Sequence, residues 1–477
     1  MKLYSLVTAI VLSAVSNGIA ADRLDWPQFR GPQGSGIAEE QKPPVEVGPD
    51  KNVKWKVEVP GGLSSPVVVG DKLVFTAFEN DKLYTVAYNR ADGSEAWRAE
   101  APYKELEPFN KVHGSPAASS CATDGTHIVS YFGSCGLFCY DLSGKELWRH
   151  EMPPALTLAG FGTGVSPIIA NGLVVLMRDV STDPQIIALD VASGEVKWDK
   201  KRESKSSFGT PTVWKTEKGT YVAAPGYGKL IGYNIKDGNE DWYVDGMPAA
   251  CCTTPVTGDG KLFFAGWSPG GADDKDFKLP TFDDILKGDT NKDGALSKDE
   301  ATGMFKDLFD NQDANKDGKV SREEWDAVAK YAANSKPSAF ALKSGGEGDV
   351  TNSFVLWKQT KGLPYVSSAI YYRGQYLMVK DGGMITAYDA TTGKEIYQKR
   401  LPATGSYYAS PVAANGNVYF TSLDDGSVTV IEGGAPKLTV VAANPGMGER
   451  TSATPAIADN TIYLRTAKHL YAFANGK

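Results

Sequence analysis

The sequence predicts an all-β fold, an eight-bladed β-propeller, with a small α-helical insert in the fifth blade. Three observations support this fold class. A hydroxyl residue followed by proline recurs about every 42 to 51 residues. Short strands with alternating apolar residues follow each of these positions, and a tight turn leading to tryptophan closes most of the units. Four short strands repeated at this period are typical of propeller blades, which bury their apolar faces against each other.

The hydroxyl–proline pair marks the start of each unit. It occurs at Ser65-Pro66, Ser115-Pro116, Ser166-Pro167, Thr210-Pro211, Thr254-Pro255, Ser410-Pro411 and Thr454-Pro455. Ser368-Ala369 occupies the same place without the proline. These positions together predict eight blades.

The tryptophan at the end of each unit predicts a contact between blades. Trp97, Trp148, Trp198 and Trp242 each follow a turn rich in Gly and Asp, and Tyr397 replaces the tryptophan in the sixth unit. An indole ring is a large apolar plate with one N–H donor, so it suits the wedge between two neighbouring blades. The seventh unit, around residues 431–441, lacks this residue.

The two ends of the repeat predict how the ring closes. The last unit, residues 453–473, stops before its own tryptophan strand, and residues 52–59, with Trp55, supply a strand of that kind. Pairing the two would leave no free sheet edge. We therefore expect a Pro- and Gly-rich extension at 21–51, blades one to five with the closing strand at 52–268, an insert at 269–350 and the remaining blades at 351–477.

The N-terminus has the pattern of a secretory signal over residues 1–20. Lys2 precedes an apolar run, Leu3–Val15, and Gly18-Ile19-Ala20 offers a small-x-small cleavage site. No cysteine follows that would carry a lipid anchor, and no other stretch has the length of a membrane helix. We expect a monomer that is periplasmic or secreted. The net charge of −7 gives no reason to expect a nucleic-acid partner.

Two twelve-residue loops within the insert predict calcium sites. They read DTNKDGALSKDE and DANKDGKVSREE. Calcium takes six to eight oxygen ligands, and an EF-hand loop supplies them from positions 1, 3, 5, 7, 9 and 12 around a sharp turn at position 6. The predicted ligands are Asp289, Asn291, Asp293, Ala295, Ser297 and Glu300 in the first loop, and Asp313, Asn315, Asp317, Lys319, Ser321 and Glu324 in the second. Gly294 and Gly318 stand at the turn.

The residues around these loops predict a small core. Twelve residues, 301–312, separate the loops, which is enough for one helix, and Met304, Phe305, Leu308 and Phe309 share one of its faces. Leu296 and Val320 stand at position 8 of each loop and would join the loops through a short two-stranded bridge. A core of this size should depend on bound metal for its stability.

Specific stretches of the chain resemble the pyrroloquinoline-quinone-like propeller family. They are DWPQFRGPQGSG, YFGSCGLFCYDLSGKELW, GEGDVTNSFVLWK and TPAIADNTIYLRTAKHLYAF. The family takes its name from quinone-dependent alcohol dehydrogenases, but it also contains an outer-membrane assembly propeller that is a lipoprotein scaffold. Such a resemblance implies the fold, whereas function has to be argued from the site.

Three functional hypotheses follow. In the first, the chain is a calcium-binding propeller that binds or scaffolds an unidentified protein or glycan partner. Residues that precede the innermost strands would then line the central funnel. They are His113, Phe161, Phe208, Tyr365, Tyr407 and Tyr408, with Lys380 and Arg450 nearby in the sequence. Aromatic rings with a few basic groups suit a glycan or a peptide.

The second hypothesis is an oxidoreductase that depends on pyrroloquinoline quinone (PQQ). In the dehydrogenases that the chain resembles, two adjacent cysteines form a strained ring disulfide beside the quinone, and Cys251-Cys252 stands before an innermost strand here. The Glu, Asn and Asp that hold the calcium of those enzymes cannot be assigned. The third hypothesis, a hydrolase or lyase, has weak support, because none of the four histidines lies in a nucleophile or metal motif. The sequence favours the first hypothesis, a binding protein over an enzyme.

Overall fold

The computed structural model describes residues 26–157, 160–204, 207–248, 250–267, 279–307, 309–313 and 317–476. The predicted signal segment, 1–20, and the predicted calcium ligand Asn315 lie outside these residues. The described strands form eight radial sheets of four antiparallel strands each, so the predicted eight-bladed β-propeller is confirmed.

Blades one to four follow one another along the chain. Their strands are Val67–Val69, Lys72–Glu79, Lys82–Asn89 and Glu95–Ala101 in blade one; Ala122–Thr123, Ile128–Phe132, Gly136–Tyr140 and Glu146–Glu151 in blade two; Ile168–Ala170, Leu173–Arg178, Gln185–Asp190 and Val196–Lys201 in blade three; and Thr212–Thr216, Gly219–Pro225, Lys229–Asn234 and Glu240–Asp245 in blade four. The short strand Gly348–Asp349 adds a parallel fifth member to the outer edge of blade four.

The remaining blades follow the same order from the innermost strand outwards. Their strands are Val256–Gly258, Lys261–Gly266, Ser338–Leu342 and Val355–Gln359 in blade five; Ile370–Tyr372, Gln375–Lys380, Met384–Asp389 and Glu395–Arg400 in blade six; Val412–Ala414, Asn417–Thr421, Val428–Glu432 and Val440–Ala443 in blade seven; and Ala456–Ala458, Thr461–Arg465, His469–Ala474 and Val53–Glu58 in blade eight.

Blade eight is assembled from both ends of the described chain. The strand Val53–Glu58 pairs antiparallel with His469–Ala474, with Trp55 opposite Ala472. This is the closure that the missing tryptophan strand of the last repeat predicts. Because the pairing covers the edge that blade eight would otherwise expose, the ring has a complete outer strand at the junction.

Five tryptophans of the outer strands join neighbouring blades, whereas for Trp242 the structure shows no such bond to blade five among the described residues. The indole N–H of Trp148 donates to the carbonyl oxygen of Val191 in blade three at 2.9 Å. A Cβ built at Gly194, in the turn of that blade, would lie 2.7 Å from the same indole ring. The arrangement recurs for Trp55 with Gly93, Trp97 with Gly144, Trp198 with Gly238 and Trp357 with Gly393. Each indole therefore needs a glycine opposite it, which explains the Gly in the repeated turn.

The insert interrupts blade five between its second and third strands. The third strand is Ser338–Leu342, which pairs with Lys261–Gly266 on one side and Val355–Gln359 on the other. The sequence placed the end of the insert at residue 350, and this boundary is wrong because residues 338–342 belong to the blade. The strand Ser338–Leu342 is not followed directly by the tight turn that leads to tryptophan in blades one to four, so the repeat does not mark it as a third strand.

The insert forms the predicted pair of loops around a small core. Its helices are Phe282–Ile285, a 3-10 turn Leu286–Gly288, Met304–Asp307, Phe309–Gln312 and Arg322–Asn334. Leu296–Ser297 pairs with Lys319–Val320, which confirms the predicted bridge. Phe305 and Phe309 belong to a core with buried Trp325, and the Phe305 and Trp325 rings meet at 5.3 Å. Leu308 and the side chain of Met304 lie outside the described residues.

The segment before the closing strand crosses one face of the ring. The backbone N–H of Val68 in blade one donates to the Trp26 carbonyl, and the guanidinium of Arg30 donates to the carbonyl of Ala369 beside blade six at 2.7 Å. Further along, Ala38 donates to Ala413 in blade seven. A segment that contacts blades on different sides of the axis must pass over the central channel, and it contains the 3-10 turn Pro32–Gly34.

Candidate functional site

A cavity of about 360 Å³ occupies the centre of the ring. Its lining comes from the segments that lead into the innermost strands of the blades, together with Phe29 from the N-terminal extension. The phenylalanines Phe161 and Phe208 meet edge to face at 6.4 Å on its wall. Five residues of the predicted funnel set line this cavity, namely His113, Phe161, Phe208, Tyr365 and Tyr408, and their role in ligand binding stays a prediction.

A ring of hydroxyl groups surrounds this cavity. In each case the backbone N–H of one hydroxyl residue donates to the side-chain oxygen of the equivalent residue in the next blade. The bonds run from Ser65 to Ser120, Ser120 to Ser166, Ser166 to Thr210, Thr254 to Ser368, Ser368 to Ser410, Ser410 to Thr454 and Thr454 to Ser65, at 2.9–3.0 Å. The eight hydroxyl residues are all buried and all line the cavity.

The ring has one break, between blades four and five. The Oγ1 atom of Thr254 is buried and has no hydrogen-bond partner among the described residues. Thr254 is also the first ring residue of the blade that carries the insert. Seven of the eight junctions between blades thus have the same hydrogen bond. The junction between Thr210 and Thr254 has the hydroxyl residue but not the bond.

In blade two the hydroxyl–proline pair does not coincide with the ring position. The sequence assigned Ser115-Pro116 to this blade, but the ring position belongs to Ser120, which precedes Cys121. The Ser115 hydroxyl instead accepts from the N–H of Ala117 within its own loop. The Ser115 prediction is wrong because a longer loop precedes blade two, and no proline follows Ser120 to mark it.

The cavity mouth is bridged by a contact between blades. The phenol of Tyr408 and Nδ1 of His113 lie 3.0 Å apart, although the two residues are 295 positions apart in the chain. The guanidinium carbon of Arg450 lies 5.8 Å from the centre of the Tyr408 ring. Arg450 is therefore near the mouth but is not a lining residue of the cavity.

Two predicted funnel residues have other roles. Tyr407 is buried, and its hydroxyl donates to the carbonyl of Ala403 at 2.7 Å. Lys380 is exposed at the end of its strand and does not line the cavity. Since successive residues of an extended segment point to opposite sides, Tyr408 faces the cavity and Tyr407 faces the blade.

The buried carboxyl group of Glu107 joins loop 102–121 to the loop that contains Thr163, which lines the cavity. The Glu107 carboxyl accepts from the backbone N–H of Thr163 at 3.2 Å and from its hydroxyl at 3.1 Å. Burial raises the pKa of Glu107 to about 8, and the two bonds from Thr163 offset only part of that effect. Because Thr163 lines the cavity, Glu107 fixes loop 102–121 against the wall.

The cysteine pair is split between two environments. Cys252 lines the cavity, whereas the Sγ of Cys251 points to the carbonyl oxygens of Gly226 and Pro248. Both are free thiols, and burial raises the pKa of Cys252 to about 12 and raises the pKa of Cys251 still further. Both thiols are therefore protonated at neutral pH, and the structure does not form the ring disulfide that the family resemblance implies.

The residues of the cavity do not fit a quinone with its calcium. That ion needs carboxylate and amide oxygens, and the lining residues include no Asp, Glu, Asn or Gln. The prediction that Cys251 and Cys252 bind the quinone together is not supported, because only Cys252 reaches the cavity.

The first calcium loop is folded around its own backbone. The Asp289 carboxylate accepts from the N–H of Lys292 at 2.7 Å and of Gly294 at 2.9 Å, and Glu300 accepts from the hydroxyls of Thr290 and Ser297. Gly294 has a φ of +84°, which a residue with a Cβ rarely adopts. The donor set of carboxylate, amide, hydroxyl and carbonyl oxygens fits calcium.

The described part of the second loop, Asp313 and residues 317–324, shows the same kind of bonds. Asp313 accepts from the N–H of Gly318 at 2.8 Å, and Glu324 accepts from the hydroxyl of Ser321 at 2.8 Å. The side chain of Lys319 reaches across to Asp293 of the first loop at 2.8 Å. Among the described residues, no three Asp, Glu, His or Cys side chains converge on one point, so the two calcium sites remain a prediction from the loop pattern.

This architecture is that of a β-propeller whose innermost strands enclose a neutral, aromatic-walled cavity. A family model described as "Outer membrane protein assembly factor BamB" matches residues 85–245 and 347–477, more than half of the chain. The chain belongs to this family. An EF-hand model matches residues 305–329, which contain the second predicted calcium loop.

Curated relatives carry the same description over part of their length. The outer membrane protein assembly factor BamB of Moranella endobia (strain PCIT) is 25% identical over 210 residues, 43% of this chain and 50% of that protein. The protein of that name from Burkholderia pseudomallei (strain K96243) is 24% identical over 180 residues, 37% of this chain and 41% of the relative. The chain therefore spans about half the length or less of these relatives.

Solved structures share the fold at low identity. BamB from Moraxella catarrhalis aligns with a TM-score of 0.52 at 11% identity, covering 87% of this chain and 97% of that one. A quinohemoprotein alcohol dehydrogenase from Comamonas testosteroni aligns with a TM-score of 0.56 at 12% identity, covering 96% and 82%. BamB and an alcohol dehydrogenase thus share this fold, so the fold alone does not decide the function. Within the described residues, none of the helices is both long and apolar enough for a membrane span.

Proposed function

We propose that the chain is an exported calcium-binding propeller that acts as a scaffold for a protein partner. The observation that carries this proposal is a set of exposed apolar side chains, here called the rim, on two joined loops that also contribute residues to the cavity wall. Val112 is 63% exposed, Leu156 is 45% exposed and Phe161 is 36% exposed. Exposed apolar side chains grouped on one surface are typical of protein–protein contact sites.

These three residues belong to two loops that pack against each other. The Thr163 bonds to Glu107 join the loops, and a Cβ built at Gly114 would lie 2.2 Å from the carbonyl oxygen of Phe161. Because the loops are fixed to each other, a partner could bind Val112, Leu156 and Phe161 without having to order them first. The curated relatives are named as outer membrane protein assembly factors, which supports a scaffold of this kind.

The calcium insert is attached to the same scaffold on blades four and five. The N–H of Lys336, just after the last helix of the insert, donates to the carbonyl of Met247 at 3.4 Å. Lys218 in blade four pairs at 2.6 Å with Glu347, which lies between the third and fourth strands of blade five, so the two blades beside the insert are also joined to each other. We propose that calcium in the two loops stabilises the insert and thereby the position of its exposed surface on the ring. Calcium would thus be structural in the insert and would not act in the cavity.

Site-specific photo-crosslinking in the native host tests the scaffold. A photoreactive phenylalanine at Val112 or Leu156 should give a discrete crosslinked product with another protein. The control is the same substitution at Leu147, which is 43% exposed on the outer strand of blade two. Equal labelling at all three positions, or none at Val112 and Leu156, would contradict the proposed rim.

A further inference from the structure

The hydrogen-bonding capacity of the central ring indicates the chemistry of a ligand. A hydroxyl has one donor and two acceptor lone pairs. In seven of the ring residues one lone pair is occupied by a backbone N–H of the neighbouring blade. No acceptor for their O–H groups is found among the described protein residues. Each of these hydroxyls therefore keeps one donor and one lone pair for a molecule in the cavity.

Groups that both donate and accept match this ring best. A carboxylate or phosphate only accepts, and an ammonium only donates, so either would leave half of the ring capacity unused. The lining residues also include no Asp, Glu, Lys or Arg to balance a ligand charge. Burying an unpaired charge is strongly unfavourable. The ligand should therefore be neutral and rich in hydroxyl groups.

The remaining wall is aromatic and apolar. Phe29, Phe161, Phe208, Tyr365 and Tyr408 contribute rings to the lining. Tyr365 is held edge to face against Trp267 at 5.3 Å, so its ring orientation is fixed by packing. Apolar walls with a few placed polar groups are typical of small-molecule sites, and 360 Å³ lies in their usual range of about 300–1,000 Å³.

We propose that the cavity is a binding site for a neutral monosaccharide. The C–H faces of the sugar would contact the aromatic rings, and its hydroxyls would exchange hydrogen bonds with the ring of Ser and Thr side chains. This site shares Phe161 with the protein-binding rim. The two proposals are tested at different residues, because crosslinking reports on Val112 and Leu156 and the sugar titration on Val366 and Ser452, so either can fail without the other.

Isothermal titration of the calcium-saturated chain with D-glucose, D-galactose and N-acetyl-D-glucosamine tests the site, with D-glucuronate as the charged comparison. At least one neutral sugar should bind one to one, and more tightly than glucuronate. Two variants fill the cavity without altering the ring: Val366→Trp and Ser452→Trp, both at partly exposed lining positions. Each should weaken binding by about tenfold or more.

The matched control is Val441→Trp, which adds the same side chain at a position 45% exposed on the outer strand of blade seven. Its affinity should equal that of the parent chain, and circular dichroism should show all three variants folded. Absence of binding by every neutral sugar would overturn the proposal. So would equal binding in the filled and control variants, or tighter binding of glucuronate.

Discussion

The backbone N–H of Thr454 donates to the hydroxyl of Ser65 at 2.9 Å across 389 positions of the chain. This bond joins blade eight to blade one, and six bonds of the same kind join other neighbours. The Ser and Thr positions that repeat in the sequence are thus the positions at which the blades are connected around the axis. The same side chains form the polar part of the cavity wall.

The ring bonds should contribute measurably to stability. Thr454→Val removes the oxygen that accepts from Ser410 and leaves a buried N–H without a partner. We expect a loss of about 1–3 kcal/mol in unfolding free energy. Thr254→Val removes an oxygen that has no partner among the described residues and should cost little. Thermal unfolding of the two variants compares them directly, and equal destabilisation would show that the bonds do not stabilise the ring.

The contact between tryptophan and glycine should be intolerant of one added carbon. Gly194 has a φ of +72° and faces the Trp148 ring, whereas Gly172 has a φ of +75° and a Cβ there would meet nothing within 4 Å. Gly194→Ala should therefore lower the melting temperature more than Gly172→Ala, because the backbone penalty is the same and only the steric clash differs. Similar losses in both variants would contradict the expected clash between a Cβ at position 194 and the Trp148 ring.

Removal of one calcium ligand should abolish one site without a change in fold. Glu300→Gln takes a charged oxygen from position 12 of the first loop, and titration calorimetry should show one calcium per chain in place of two. Asp299→Asn removes an adjacent charge that is not a predicted ligand, so it should retain both sites. Two sites in Glu300→Gln, or none in the parent chain, would refute the assignment.

Calcium removal should loosen the insert and not the ring. A free calcium concentration of 100 times the dissociation constant stabilises the folded form by about 2.7 kcal/mol for one site. Chelation should therefore speed proteolysis within residues 279–337 and leave the blade strands protected. Mass spectrometry of the first fragments gives the cleavage positions. First cuts in the blades would indicate that calcium stabilises the whole propeller.

The buried Glu107 should make stability depend on pH. Its folded pKa of about 8 exceeds the ordinary value of 4.5, so the stabilisation is complete below the ordinary value and is lost as the pH rises through 8. Glu107→Gln keeps a neutral side chain and avoids this loss. The difference in melting temperature, variant minus parent, should therefore increase from pH 5 to pH 9.

An exposed neighbour supplies the control for this titration. Glu105 is exposed in the same loop, and Glu105→Gln should keep the pH dependence of the parent chain. Parallel curves for the parent and Glu107→Gln would mean that Glu107 is ionised in the folded protein.

Most of the fold could be predicted because its determinants are local and repeated. The turn that leads to Trp148 has the same form as the one that leads to Trp198, so the position of each outer strand follows from the sequence. The missing tryptophan strand of the last repeat likewise identified Trp55 as its replacement. The repeat is informative because each blade packs against its neighbours through the same positions.

The site was predicted less completely because its residues depend on geometry between blades. Ser120 has no proline after it, and Ser115 carries the expected mark, so only the bonds to Ser65 and Ser166 identify the correct residue. Phe29 enters the cavity from a segment outside the repeat. Tyr407 and Tyr408 are equivalent in composition, and only their alternation along the backbone separates the buried residue from the lining residue.

The closing strand Val53–Glu58 also determines the order in which the chain can assemble during synthesis. It leaves the ribosome before any complete blade, yet its partner His469–Ala474 is made only after blades one to seven. Until then its backbone donors and acceptors have no native strand to pair with, and unpaired strand edges promote aggregation. The closing strand is therefore most exposed to aggregation before His469–Ala474 is made, and a translation pause after blade seven would prolong that exposure.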